Sequence, residues 1–163
     1  MYGKIRKKEA VNVKLNLDCV RDILLCVEEN TGVRKYCYFV DSTLDDFNHR
    51  GGFEVLDAPD YQKKLMENGS VEELIYHINY CVKADLLSQI NSSTGYKILI
   101  ADLTPKGHDF LENIREKTIW DGVKAIATKV GSKSLESVTQ IASNVVIEII
   151  RAQLKKSNIL PFI

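Results

Sequence analysis

Between Ser70 and Phe110 the hydrophobic period of the chain switches from helical to strand-like and back (SVEELIYHINYCVKADLLSQINSSTGYKILIADLTPKGHDF), and this stretch restricts the fold more than any other. Ser70 is a good N-cap and Glu73 completes an S-x-x-E capping box. Val71, Leu74, Ile75, Ile78 and Val82 follow at helical spacing, so one face is buried. Leu86, Leu87 and Ile90 lead into the turn-forming run Asn91-Ser92-Ser93-Thr94-Gly95. Tyr96 to Leu103 returns as a strand, and Thr104-Pro105 starts a further helix with proline in its first turn. Upstream, Asp57-Ala58-Pro59 opens a short helix, Asp60 to Glu67, with Tyr61 and Leu65 inward and Asn68-Gly69 as its stop. Two helices joined by a glycine-containing turn, then a two-stranded wing and a helix, predict a winged helix-turn-helix, α+β and mostly helical.

The rest of the chain divides around that unit. Residues 1–16 read as a basic arm, with Lys4, Arg6, Lys7, Lys8 and Lys14 against Glu9. The winged unit spans 17–117. Its first helix runs Leu17 to Asn30, with Asn16 or Asp18 as cap, Val20, Ile23, Leu24 and Val27 buried, and Thr31-Gly32 as stop. Arg34 to Val40 reads as a strand with Phe53 to Leu56 as its partner, which makes 33–58 an inserted loop or hairpin. Residues 118–163 form a two-helix C-terminal extension.

Lysine plus arginine equals aspartate plus glutamate, 22 each, so net charge gives no general argument for a nucleic-acid partner. Cys19, Cys26, Cys37 and Cys81 contain no C-x-x-C pair, and no secretory hydrophobic region precedes them, which predicts free thiols in the cytoplasm. The densest apolar run, Val145 to Ile150, is interrupted by Glu148 and too short for a membrane span. Cys19 and Cys26 share a helix face and could meet Cys81, and acids in 41–60 lie near His49. Neither set has metal-ligand spacing, so no metal or cofactor is expected. No nucleophile elbow, H-E-x-x-H, phosphate-binding loop or dinucleotide fingerprint occurs, and His77 and His108 fall where structural histidines do. An enzyme is not expected.

Opposite its buried stripe, the helix after Ser70 presents Tyr76, Asn79, Tyr80 and Lys83. Asn79 suits adenine, the tyrosines suit phosphate, and Lys83 with Lys97 and the arm residues Lys7 and Lys8 supplies cations. Double-stranded DNA is the expected partner. Glu72 and Glu73 at the leading end of the helix argue the other way, toward a non-enzymatic protein-interaction module on the same fold.

Two resemblances bear on this. His77 to Leu87 (HINYCVKADLL) resembles the recognition-helix ending H-L-x-x-L-x-x-A-G-L-V of ArsR-type winged-helix repressors, with Cys81 for the central leucine and Asp85 for the usual glycine. More extensively, LNLDCVRDILLCVEENT, VEELIYHINYCVKADLL and LTPKGHDFLENIREKTIW resemble in order and spacing the domain of unknown function 2513 family, found in prophages and phages of Gram-positive bacteria. That resemblance implies a winged helix in a mobile-element setting, in keeping with a phage or prophage transcriptional regulator, and implies no activity of its own.

The C-terminal extension carries a second expectation. Ile119 to Val130 is amphipathic, Gly131-Ser132 breaks it, and Ser134 caps a helix running to about Lys156. Leu135, Val138, Ala142, Val145, Ile149 and Ala152 recur at alternating three- and four-residue steps, a seam for another helix. Ile141, Val146, Ile147, Ile150 and Leu154 widen it, and the chain ends on apolar residues 159–163. A homodimer through this helix is expected; the alternative is that both helices fold back on their own winged unit.

Overall fold

A computed structural model describes residues 13–43, 57–91 and 96–157. In chain order they form α1 (Leu17–Asn30), β1 (Cys37–Val40), α2 (Asp60–Leu65), α3 (Val71–Lys83), β2 (Leu87–Ile90), β3 (Lys97–Leu103), α4 (Pro105–Ile114), α5 (Lys117–Val130) and α6 (Leu135–Lys156). The fold is α+β and mostly helical, with an antiparallel three-stranded sheet in the order β1-β3-β2.

The sheet keeps the expected pair, β2 with β3, and adds a third strand to it. Cys37 pairs with Ile100 and Phe39 with Ile98, so β1 is a strand of the same sheet as β3. Cys37, Phe39 and Val40 are buried accordingly. The strand is shorter than expected because Arg34 takes φ +62° in a turn closed by mutual backbone bonds between Gly32 and Lys35 (3.0 and 2.9 Å). The partner expected at 53–56, and the loop carrying His49 and its neighbouring acids, lie outside the described residues. On the other side β2 meets β3 with a bulge between Ser88 and Gln89.

An edge strand leaves backbone groups unpaired, and here two consecutive side chains of α2 cover them. The Val40 N–H donates to Gln62 Oε1 and Gln62 Nε2 donates to the Val40 carbonyl, both at 2.8 Å. Tyr61 does the same one pair earlier, accepting from the Tyr38 N–H (2.9 Å) and donating to its carbonyl (2.7 Å). Tyr61 and Leu65 pack against the core as expected, half-buried, and Gln62 joins them as the fully buried residue of α2. The helix also stops at Leu65, short of the expected Glu67.

Capping chemistry places α3 and its neighbours. Asn16, the N-cap of α1, accepts from the amides of Asp18 and Cys19. Ser70 Oγ accepts from Glu73 N (3.1 Å) and opens α3 where the sequence indicates. Asp85 takes the left-handed conformation (φ +59°) just past the end of α3, and the Leu86 N–H bonds to the Cys81 carbonyl at 2.9 Å. Thr104 caps α4 by accepting from Gly107 N (3.0 Å), and Pro105 fills the first helical position.

The C-terminal helices close on the same core. Trp120, Val123 and Ala127 of α5 and Leu135, Val138 and Ala142 of α6 are buried in one cluster with the α1 stripe Val20, Ile23, Leu24 and Val27. Trp120 Nε1 and Lys124 Nζ both donate to Asp18 at the start of α1 (2.7 and 2.8 Å). Arg21 of α1 donates to the Ile114 and Arg115 carbonyls at the end of α4 (3.1 and 2.6 Å), the favourable end of its dipole for a cation. The expected dimer seam is therefore divided. Leu135, Val138 and Ala142 lie in the chain's own core, Val145 is half-buried, and Ile149 and Ala152 are exposed.

Candidate nucleic-acid interface

The solvent face of α3 is set by what its other face touches. Leu74, Ile75, His77, Ile78 and Cys81 are buried, which turns Tyr76 and Lys83 outward and leaves Asn79 and Tyr80 half-exposed. The rings of Tyr76 and Tyr80 stack with centroids 5.9 Å apart and planes 15° apart, forming a small aromatic platform. Among the described residues neither Asn79 nor Lys83 has a hydrogen-bond or ion-pair partner, so both retain their full bonding capacity. Lys97 lies on β3, its ammonium 4.5 Å from the centre of the Tyr38 ring. Lys7 and Lys8 lie outside the described residues.

A buried histidine holds this helix against α1. His77 is fully buried, and its Nε2 accepts the Asn16 N–H at 2.8 Å. The ring proton therefore sits on Nδ1, where it donates to the Glu73 carbonyl at 2.7 Å. Asn16 Nδ2 adds a bond to the Glu73 carboxylate at 3.2 Å, so the starts of α1 and α3 are tied together. His77 is structural in this arrangement, with both ring nitrogens committed.

Beside the start of α3 lies a groove of about 530 Å³ between α1 and the α2–α3 turn. Leu25, Tyr61, Leu65 and Leu74 give it an apolar floor. Asp18, Asp22, Glu29, Glu67 and Glu73 line it against Lys64 alone. Asp18 is held by Lys124 and Trp120; burial raises its carboxyl, and those two hydrogen bonds outweigh that and leave it below the ordinary range. Burial, with Asp18 adding to it, raises Asp22 despite the nearby Arg21. Sequence reading missed this groove, although Asp18, Asp22 and Glu29 fall along one side of α1 at helical spacing.

The thiols do not form a reactive centre. Burial is the main cause that pushes Cys19, Cys37 and Cys81 up to about 12 and Cys26 to about 11, where little thiolate exists near neutral pH. Among the described residues no three His, Cys, Asp or Glu side chains are grouped to hold a metal ion, and no helix is long and apolar enough to cross a membrane.

By class, then, the chain is an α+β, mostly helical protein whose short antiparallel sheet is packed among helices. It belongs to the family described as hypothetical protein (DUF2513), whose model matches residues 14–133, from just before α1 to the turn ahead of α6. It is also similar to an uncharacterized protein of Haemophilus influenzae, 31% identical over 137 residues, covering 82% of this chain and 96% of the relative. No solved structure gives a significant match.

Proposed function

We propose that this chain is a winged-helix, non-enzymatic DNA-binding protein of the cytoplasm, a transcriptional regulator of a phage or prophage, with α3 as its recognition helix. The observation that carries the reading is the element order α1-β1-α2-α3-β2-β3 combined with the strand order β1-β3-β2. On this reading α2 and α3 are the helix-turn-helix and β2–β3 the wing, the geometry that lays one helix in the major groove. Tyr76, Asn79, Tyr80 and Lys83 supply phosphate and base-edge chemistry on its open face. The mobile-element setting rests on the sequence resemblance alone.

A salt titration tests this. Affinity for duplex DNA should fall steeply as salt rises, because bound lysines release counterions. Lys83→Glu with Lys97→Glu should weaken binding to all sequences and flatten the salt slope by about two in log–log terms. Absence of binding at low salt by folded protein overturns the reading. The acid-lined groove favours the second reading, a protein-interaction module, and that same negative titration would promote it.

Two copies are proposed to pair through the distal half of α6. From Ile147 onward the helix keeps large apolar residues outward, with Ile147, Ile149 and Ile150 each 40% exposed or more. Ile147→Glu with Ile150→Glu should give folded monomer by light scattering. A native protein that is already monomeric at high micromolar concentration would exclude the pairing.

A further inference from the structure

We propose, resting on the DNA reading above, that Glu72 is a specificity-determining residue of α3 and selects a duplex with cytosine opposite the first helical turn.

Helical spacing sets the reading groups in one row. Glu72, Tyr76, Asn79 and Lys83 follow one another at steps of four, three and four residues. At about 100° per residue they fall within a sector of about 60°. That sector is opposite the buried Leu74, His77 and Cys81. Glu72, Tyr76 and Lys83 are exposed and Asn79 is half-exposed. From Glu72 to Lys83 the row is about 16 Å long, which matches about five base pairs of duplex. The stacked rings of Tyr76 and Tyr80 flank it on one side, where phenol hydroxyls suit the phosphates of one groove wall.

The two carboxylates of the first turn are not equivalent. Glu73 lies about 100° round the helix from Glu72. Its carboxylate accepts from Asn16 Nδ2 at 3.2 Å and is spent on the contact with α1. Glu72 has no hydrogen-bond or ion-pair partner among the described residues, and the cap of α3 is made by Ser70. The helix dipole favours a carboxylate anywhere in the first turn. Only position 72 of that turn sets one in the reading row.

Hydrogen-bond chemistry then decides what Glu72 meets. An ionised carboxylate accepts and cannot donate. In the major groove guanine offers the acceptors N7 and O6 and thymine offers O4, so both repel it, whereas the cytosine N4 amino group donates. Adenine pairs a donor, N6, with an acceptor, N7, which suits the Asn79 amide better than a carboxylate. Asn79 lies about 10 Å further along the helix, or about three base pairs. Glu72 therefore chooses as much by rejecting guanine and thymine as by accepting from cytosine. A charge that weakens indiscriminate binding to phosphate becomes a means of selecting a site.

Selection of bound sequences from a randomised duplex pool by the full chain, followed by affinity measurements on the selected duplexes, tests this. The native protein should fix a cytosine about three base pairs from an adenine. Glu72→Gln keeps the shape of the side chain and gives it the donor and acceptor that suit adenine. It should move the preference at the cytosine position to adenine by about tenfold and raise affinity for unrelated duplex. Glu72→Ala should lose the cytosine preference without gaining another, and Asn79→Ala should lose only the adenine. Native base preferences in Glu72→Gln, an affinity that rises equally for every sequence, or native protein that binds duplex without base preference overturns the role of Glu72 and leaves DNA binding intact. Folded native protein that binds no duplex at low salt overturns both.

Discussion

Gly107→Ala is expected to destabilise the protein by on the order of 3 kcal/mol, although the same exchange in an open helix stabilises it. Gly107 is buried in the first turn of α4, against the chain leaving α3. A Cβ there would lie 2.1 Å from the Leu86 carbonyl oxygen and 3.0 Å from its carbon. Both neighbours are backbone, so no side-chain rotation relieves the overlap. The same carbonyl accepts the Thr104 N–H at 3.0 Å, and Thr104 Oγ1 donates to the Asp85 carbonyl at 2.5 Å. Moving α4 away would break both bonds and open the core around Leu86, which is fully buried. Gly122 in α5 is the internal control, because a Cβ there meets nothing within 4 Å. Gly122→Ala should raise stability by about 0.5–1 kcal/mol, the ordinary helix preference for alanine. Urea midpoints for the two variants should move in opposite directions. A Gly107→Ala midpoint equal to that of the native protein would mean that α4 does not seat on Leu86.

What the sequence makes legible here is local. Ser70, Thr104 with Pro105, Ser134 and Gly131 each act on amides or carbonyls within four residues, so spacing alone identifies the helix ends they make. Asp85 is legible in the same way, since one residue past α3 must turn left-handed for the chain to enter β2. The third strand is legible as a strand at Arg34 to Val40, but its partner is not. Cys37 meets Ile100 across most of the α1–β3 unit, and the nearer stretch Phe53 to Leu56 offers itself as partner on pattern alone. Gln62 is hidden for a related reason: on a short polar helix beside two lysines it reads as solvent-facing, and only an adjacent edge strand gives its amide a task. The outward residues of α3 follow from its apolar stripe, whereas the groove needs the α2–α3 turn set against α1. For α6, the apolar steps are visible in sequence, but where α5 stops covering them depends on the packing of the two helices.

Replacing Gln62 tests the least local of these features. Gln62→Leu keeps a buried side chain of similar volume while removing both partners of Val40. The Val40 N–H and carbonyl, now paired at 2.8 Å each, would then be buried without partners. At about 1–3 kcal/mol for each stranded group, the loss should be about 2–5 kcal/mol, a large share of the stability of a domain this size. Tyr61→Phe removes an equivalent pair of bonds at Tyr38, but Tyr61 is only half-buried, so water replaces the hydroxyl and the loss should be nearer 1 kcal/mol. The contrast between these variants separates stranded backbone from lost side-chain packing. Hydrogen exchange adds a residue-level readout, because the Val40 amide should exchange much faster in Gln62→Leu while the Phe39 amide, facing β3, stays protected. An uncovered β1 edge also invites pairing with other chains, so scattering should grow with concentration in this variant. If Gln62→Leu matches the native protein in urea midpoint and in Val40 exchange, α2 does not close the sheet edge, and the placement of the turn leading into α3 falls with it.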